Sequence, residues 1–149
     1  MRKHRKAVEA FFKDYARRSD EALQDPPLED VDGVVGAFAP FFVEASPKGV
    51  MGGANDANFR KMIPRGFARY RAVGGTGMRI TGVEVTDLDD FNAMARIDWA
   101  FDYKRPSDGR KGSVTFQNLY FLNFAGDDPS VFAYITPDEE KAMKDHGLT

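Results

Sequence analysis

Apolar positions along the first quarter of the chain recur with a helical period. Val8, Phe11, Phe12 and Tyr15 stand at i, i+3, i+4 and i+7, while Glu9, Lys13, Asp14 and Arg17 fall between them. That spacing predicts an amphipathic helix with one aromatic stripe, running to about Leu23 because Pro26-Pro27 cannot continue it. The same spacing returns in Val31, Val34, Val35 and Phe38, closed by Pro40. Phe41-Phe42-Val43-Glu44-Ala45 then reads as a short strand ended by a Ser46-Pro47-Lys48-Gly49 turn, and Gly52-Gly53 reads as a further break. Asn55 or Asp56 is placed to cap a third helix carrying Phe59, Met62, Ile63, Phe67 and Tyr70, with a kink expected at Pro64.

Beyond Gly74-Gly75-Thr76-Gly77 the period changes to two. Residues 78–88, 91–104, 112–124 and 131–136 read as strands separated by short turn clusters rich in Asp, Gly and Pro. Connections this short leave no room for a crossover helix, so consecutive strands pair antiparallel. A short helix opening on Asp138-Glu139-Glu140 and ending at Gly147 closes the chain. The pattern therefore predicts one α+β domain over residues 1–149, with helices packed in the concave face of a strongly curved antiparallel sheet. Central strands of about a dozen residues exceed the usual five or six, and sheets that long coil around their cover to leave a cone with an open end.

In residues 91–104, alternation puts Ala93, Ala95, Ile97, Trp99, Phe101 and Tyr103 on one face and Met94, Arg96, Asp98, Ala100 and Asp102 on the other. The first set faces the helices, since burying unpaired charges is costly. Residues 112–124 are apolar on both faces: Phe116, Tyr120 and Leu122 lie on one, Leu119 and Phe121 on the other. Such a strand is covered on both sides. The helices form one cover, and a second copy of the chain, docked on the outer sheet face, is expected to form the other.

Composition narrows the chemistry. The absence of cysteine removes thiolate metal sites, Cys nucleophiles and disulfides. His4 and His146 are the only histidines and sit near opposite ends, which leaves no multi-histidine metal site and no Ser-His-Asp triad. No metal or cofactor is expected. A net charge of −2, with Arg2-Lys3-His4-Arg5-Lys6 as the sole basic cluster, gives no electrostatic footprint for nucleic acid. That cluster reads as a solvated or frayed helix start. No apolar run approaches the ~18 residues of a membrane span, and a cytoplasmic protein without membrane partners is expected.

Three helices, a strand after the second, and then four antiparallel strands resemble the nuclear transport factor 2-like superfamily, within it the SnoaL-like and ketosteroid isomerase-like members. The resemblance covers nearly the whole chain through element order and a few positions. It implies a cystatin-like cone. In the steroid isomerases, a first-helix tyrosine and a strand aspartic acid form an oxyanion hole, and an aspartate on the early strand moves the proton. Tyr15 matches the tyrosine, and Tyr70 resembles a supporting tyrosine on helix three. Asn118, within Gln117-Asn118-Leu119-Tyr120, stands in place of the acid. Ala45 stands in place of the base, with Glu44 one residue away and read as an exposed edge-strand carboxylate. Arg96-Ile97-Asp98 also resembles part of the Asp-Arg-Asp set of epoxide hydrolases on this cone, in a register that needs both charges inward. The final strand, with Phe132-Ala133-Tyr134, offers no remaining acid.

The expectation is a pocket for a small apolar, oxygen-bearing molecule. Tyr15 and Asn118 would polarise the oxygen, and Tyr70, Ile97, Trp99, Phe101, Phe116 and Tyr120 would bind the ligand. A cofactorless isomerase, dehydratase or cyclase fits this set; a non-catalytic binding or assembly module of the same fold is the alternative.

Overall fold

The computed structural model describes residues 3–149. Its elements are α1 (Arg5–Glu21), α2 (Val31–Gly36), β1 (Phe38–Ser46), β2 (Gly49–Ala54), α3 (Ala57–Ala72), β3 (Gly75–Asp87), β4 (Asn92–Lys104), β5 (Lys111–Asn123), β6 (Ser130–Ile135) and α4 (Glu139–Asp145). The six strands form one sheet in the order β2-β1-β6-β5-β4-β3. Helices and sheet are segregated as the sequence predicts, giving an α+β fold.

Several local expectations change. β2 is a strand where Gly49, Gly52 and Gly53 read as a break; it pairs antiparallel with β1 through a tight turn in which Gly49 has φ +117°. That conformation suits glycine, and backbone pairing outweighs the poor strand propensity of the other two. β1 begins at Phe38, so α2 is a short helix of six residues and Phe38 belongs to the sheet. Pro40 sits inside β1 because the ladder to β6 is interrupted between Phe38 and Val43, and no N–H is required there. α3 runs without interruption through Pro64. Asp56 caps it by accepting from the Asn58 and Phe59 amides, while Asn55 ties α2 to β1 by donating to the Val35 and Phe38 carbonyls.

The sheet is not wholly antiparallel, since β1 runs parallel to β6. Most of the chain separates these two strands, so no hairpin dictates their relative direction. The long strands do pair antiparallel, β3 with β4 and β4 with β5. Two register shifts in β3, between Gly75 and Gly77 and between Ile80 and Gly82, add curvature at that edge.

The inward set on β4 is as the alternation requires. Ala93, Ala95, Ile97, Trp99, Phe101 and Tyr103 are all buried, whereas Arg96 and Asp98 lie on the outer face, where Arg96 pairs with Glu84. The inward register needed for an epoxide hydrolase-like Arg96-Asp98 pair is therefore ruled out. α1 lays Val8 and Phe12 onto Ala93, Ala95 and Leu122. The small alanines leave room for the Phe12 ring beside Tyr120, with centroids 4.8 Å apart. A second cluster joins Leu23, Phe101, Tyr103, Val114, Met143 and Leu148.

Of the basic N-terminal cluster, Arg2 falls outside the described residues. From Lys3 onward the segment is anchored: the Lys3 and His4 amides donate to Asp87, and the His4 ring is buried and stacked on Phe124 at 4.2 Å. Aromatic stacking holds His4 where its position near the chain end suggested solvent.

The core assignment is checked by chemical denaturation. Phe12→Ala should lower unfolding free energy by about 3–5 kcal/mol, as loss of a buried aromatic ring does. Lys13→Ala, on the exposed face one residue on, should change it by no more than about 0.5 kcal/mol.

Candidate functional site

A cavity of about 260 Å³ lies between α1, α3, the inner faces of β4, β5 and β6, and the start of α4. Register explains its composition. Tyr120 on β5 stands opposite Tyr134 on β6, and Tyr134 stands beside Glu44 on β1. Three neighbouring strands thus place a carboxylate and two phenols in a row on one inner face. Tyr15 is delivered from above by the aromatic stripe of α1, with its ring 5.9 Å from both Trp99 and Tyr120.

Tyr120 is the polar centre of this row. Its hydroxyl accepts from Trp99 Nε1 at 3.1 Å and from Asn118 Nδ2 at 3.0 Å. A phenolic oxygen has two acceptor sites and one hydrogen. With both acceptor sites filled, the O–H of Tyr120 is left to donate, either toward Tyr15 or toward an oxygen brought into the cavity. Asn118 Oδ1 is buried and has no hydrogen-bond partner among the described residues, so the cavity also offers an unsatisfied acceptor.

The phenols are held neutral. Burial pushes the Tyr15 hydroxyl well above its ordinary value, and the nearby Tyr120 and Tyr134 add to the shift. Burial raises Tyr120 as well, opposed chiefly by the hydrogen bonds from Asn118 and Trp99. Tyr134 is raised by burial and then by the nearby negative charge of Glu44. Tyr70 is raised by burial and then by Glu139, in the same way. Two carboxylates, Glu44 and Glu139, thus reach the cavity wall, each near one of these tyrosines. Arg18 is a cation in the same wall, its guanidinium 5.9 Å from the centre of the Tyr15 ring. Among the described residues, no cluster of three His, Cys, Asp or Glu side chains is spaced to hold a metal ion.

Most of the residues singled out from the sequence meet here: Tyr15, Tyr70, Trp99, Phe116, Asn118 and Tyr120 all line the cavity. Ile97 and Phe101 do not. Ile97 is sealed into the main core, and Phe101 packs at the other end of β4 against Tyr70 and the second cluster. Both share the inward face of Trp99, but a face thirteen residues long serves core as well as cavity. Glu44 corrects the sequence reading, because it lines the cavity instead of a solvated edge. β2 covers β1, making β1 an interior strand, and Phe42 packs inward on Phe59 at 4.7 Å, which turns Glu44 to the same side. The alternation of Phe42 and Glu44 carried that signal. Glu139 carried none, since an acidic residue at a helix start is ordinarily explained by the helix dipole.

No family model and no curated protein sequence matches the chain. Solved structures do. An NTF2-like protein with a cystatin-like fold from Novosphingobium aromaticivorans aligns with a TM-score of 0.67 at 14% identity, over 97% of this chain and 87% of its own. A ketosteroid isomerase-like protein from Erwinia carotovora atroseptica aligns with a TM-score of 0.60 at 14% identity, over 92% and 97%. The beta subunit of a benzoate 1,2-dioxygenase from Burkholderia mallei gives 0.60 at 17% identity, over 90% and 89%.

The neutral phenols make the site sensitive to alkali. Tyr15, Tyr70, Tyr120 and Tyr134 stay protonated in the folded chain above the ordinary tyrosine value of 10.0, whereas the unfolded chain releases those protons. Stability is therefore intact below about pH 10 and falls as pH rises beyond it. Absorbance at 295 nm should show these four phenols ionising only together with loss of the folded circular dichroism signal. Their titration near pH 10 in the folded state would contradict the assignment.

With the elements, their order and the cavity in place, the chain has the nuclear transport factor 2-like, cystatin-like fold.

Proposed function

We propose that the chain binds a small apolar molecule carrying a carbonyl or hydroxyl oxygen, and that it moves a proton on that molecule without a cofactor, as an isomerase, dehydratase or cyclase. The observation that carries the reading is the filled acceptor shell of Tyr120 facing Glu44 across Tyr134. Tyr120, backed by Tyr15, donates to the ligand oxygen and stabilises negative charge as it develops there. Glu44 takes a proton from the adjacent carbon and returns it at another position; where a hydroxyl leaves instead, Tyr120 gives it the proton with which it departs as water and regains one from Glu44. Asn118 is a positioning residue in this scheme, because it acts through the amide hydrogen it donates to Tyr120. Trp99, Phe116 and Met78 supply the apolar wall.

Binding and chemistry are separable by experiment. Aromatic ketones, steroids and terpenoids are screened by thermal shift, and exchange of the α-proton of a bound ketone is followed by NMR in D2O. Tyr120→Phe should weaken ketone binding about tenfold, the loss of one buried hydrogen bond of about 1.4 kcal/mol. Glu44→Gln should keep the binding and slow exchange by about 10²–10⁴-fold. Binding by the unmutated chain with no exchange would replace the enzyme reading with a non-catalytic binding module.

The outer sheet face supports pairing of two copies. Leu119 stands opposite Ile135, Phe121 and Phe132 lie 6.1 Å apart, and Val43 and Ile135 remain exposed beside them. A twofold axis through this patch would bury it against itself. Sedimentation velocity should give twice the chain mass of 16.6 kDa, and Phe121→Arg should return the monomer. A monomeric unmutated chain at micromolar concentration would reject the pairing.

A further inference from the structure

An apolar groove of about 550 Å³ opens between α3 and the β1–β2 hairpin and runs into the inner cavity, sharing Tyr15, Glu44, Phe67, Tyr70 and Tyr134 with it. Phe42, Phe59, Met51 and Met62 line it, and the two methionines are 69% and 63% exposed. Such exposure of flexible apolar side chains beside a cavity mouth marks a surface that gains from a partner.

Two glycines sharpen the point. Gly66 sits in the middle of α3, where glycine is unfavourable, and Gly53 sits in β2, where it is also unfavourable. Neither has a positive φ, and a Cβ at either position would meet no atom of the described residues within 4 Å. Backbone geometry therefore does not demand these glycines, and neither does packing within the chain. Gly52 differs, because its Cβ would press on the Phe42 carbonyl at 2.9 Å. Gly53 and Gly66 come from opposite walls of the same groove, and what their missing side chains preserve is its width.

The polar atoms along the groove do not favour a charged anionic occupant. Asp56 is committed to capping α3, and Glu44 stands only at the inner end, where the groove meets the cavity. Among the described residues, no lysine or arginine lines the groove.

We infer that the groove holds an uncharged hydrocarbon tail, so that the ligand is an elongated molecule with one oxygenated ring or head group in the inner cavity and its tail between α3 and the hairpin. This rests on the proposed function for the head group, while the groove itself stands on its own residues. The inner cavity holds a head of about one ring, and the tail gains affinity by leaving water along the groove. Burying each methylene should tighten binding about fourfold until the groove is filled.

The test uses phenol, 4-butylphenol and 4-octylphenol as probes, with two independent reporters. Trp99, the single tryptophan, lines the inner cavity and reports the head group by fluorescence. The ¹³C-labelled methyl groups of Met51 and Met62 report the groove by NMR. All three phenols should perturb Trp99, only the alkylated ones should shift Met51 and Met62, and affinity should climb with chain length. Gly66→Leu should keep phenol binding and the folded circular dichroism spectrum, yet abolish the gain from the alkyl chain. If the phenols perturb Trp99 with no methionine shift and no gain from length, the groove inference fails and the head-group reading stands. If methionine shifts appear without a Trp99 response, the groove stands as a tail site and the head-group reading fails. No response at either reporter rejects both. Methionine shifts that depend on protein concentration without any phenol would assign the groove to a second copy and overturn the inference.

Discussion

A strand turns successive side chains to opposite faces, and β4 uses that rule to separate two incompatible sets of residues. One face carries Ala93 through Tyr103, all apolar or aromatic; the other carries Arg96, Asp98 and Asp102. A slip of one residue would bury three charges and expose Trp99, at a cost of several kcal/mol per unpaired ion. The register of β4 is thereby fixed, and β5, paired with it over its whole length, inherits the constraint. Tyr120 faces the interior because Ala95 does, and Asn118 faces it because Ile97 does. β6 pairs with β5 and β1 with β6, so the same choice reaches Tyr134 and then Glu44.

What that register assembles is a polar centre inside an aromatic shell. Trp99 and Asn118 both donate to the Tyr120 oxygen, which satisfies two buried donors and orients the phenol at the same time. The cost is one orphan, Asn118 Oδ1, at the cavity wall. Four tyrosines kept neutral by burial surround the space, two of them pushed further up by nearby carboxylates. A site so arranged offers hydrogen-bond donors toward an oxygen and carboxylates toward a proton, within largely aromatic walls. Its structural neighbours share the fold while bearing names as different as isomerase-like protein and dioxygenase subunit. Fold similarity therefore leaves chemistry to be argued from the site.

The hairpin and α3 add a feature that the inner cavity lacks. Phe38, Phe42 and Phe59 form a T-shaped aromatic cluster that fixes the base of the groove, while Met51, Met62 and the two unconstrained glycines keep its rim open. Rigid aromatics below and adaptable methionines above suit a ligand whose head is positioned and whose tail is merely accommodated. The groove also meets the cavity at Glu44, so a tail lying in it would set where the head comes to rest against that carboxylate.

Helices α1 and α3, the four long or late strands, and the inward face of β4 were legible in the sequence. Periods of 3.6 and 2 arise from local backbone geometry and need no tertiary information. The absence of cysteine and the placement of the two histidines likewise bounded the chemistry from the chain alone. Tyr15, Trp99, Asn118 and Tyr120 could be named because each sits on a face whose direction periodicity defines. β2 could not, since its six residues include three glycines and gain their strand conformation only from pairing with β1. Nor could the parallel contact of β1 with β6, which joins segments most of the chain apart. Glu44 follows from those two pairings: only when β1 is an interior strand does its carboxylate face the cavity. Glu139 and the separate fates of Ile97 and Phe101 depend on where α4 and the second core cluster end in space. Local repetition decided which way side chains point, and long-range pairing decided which of them meet.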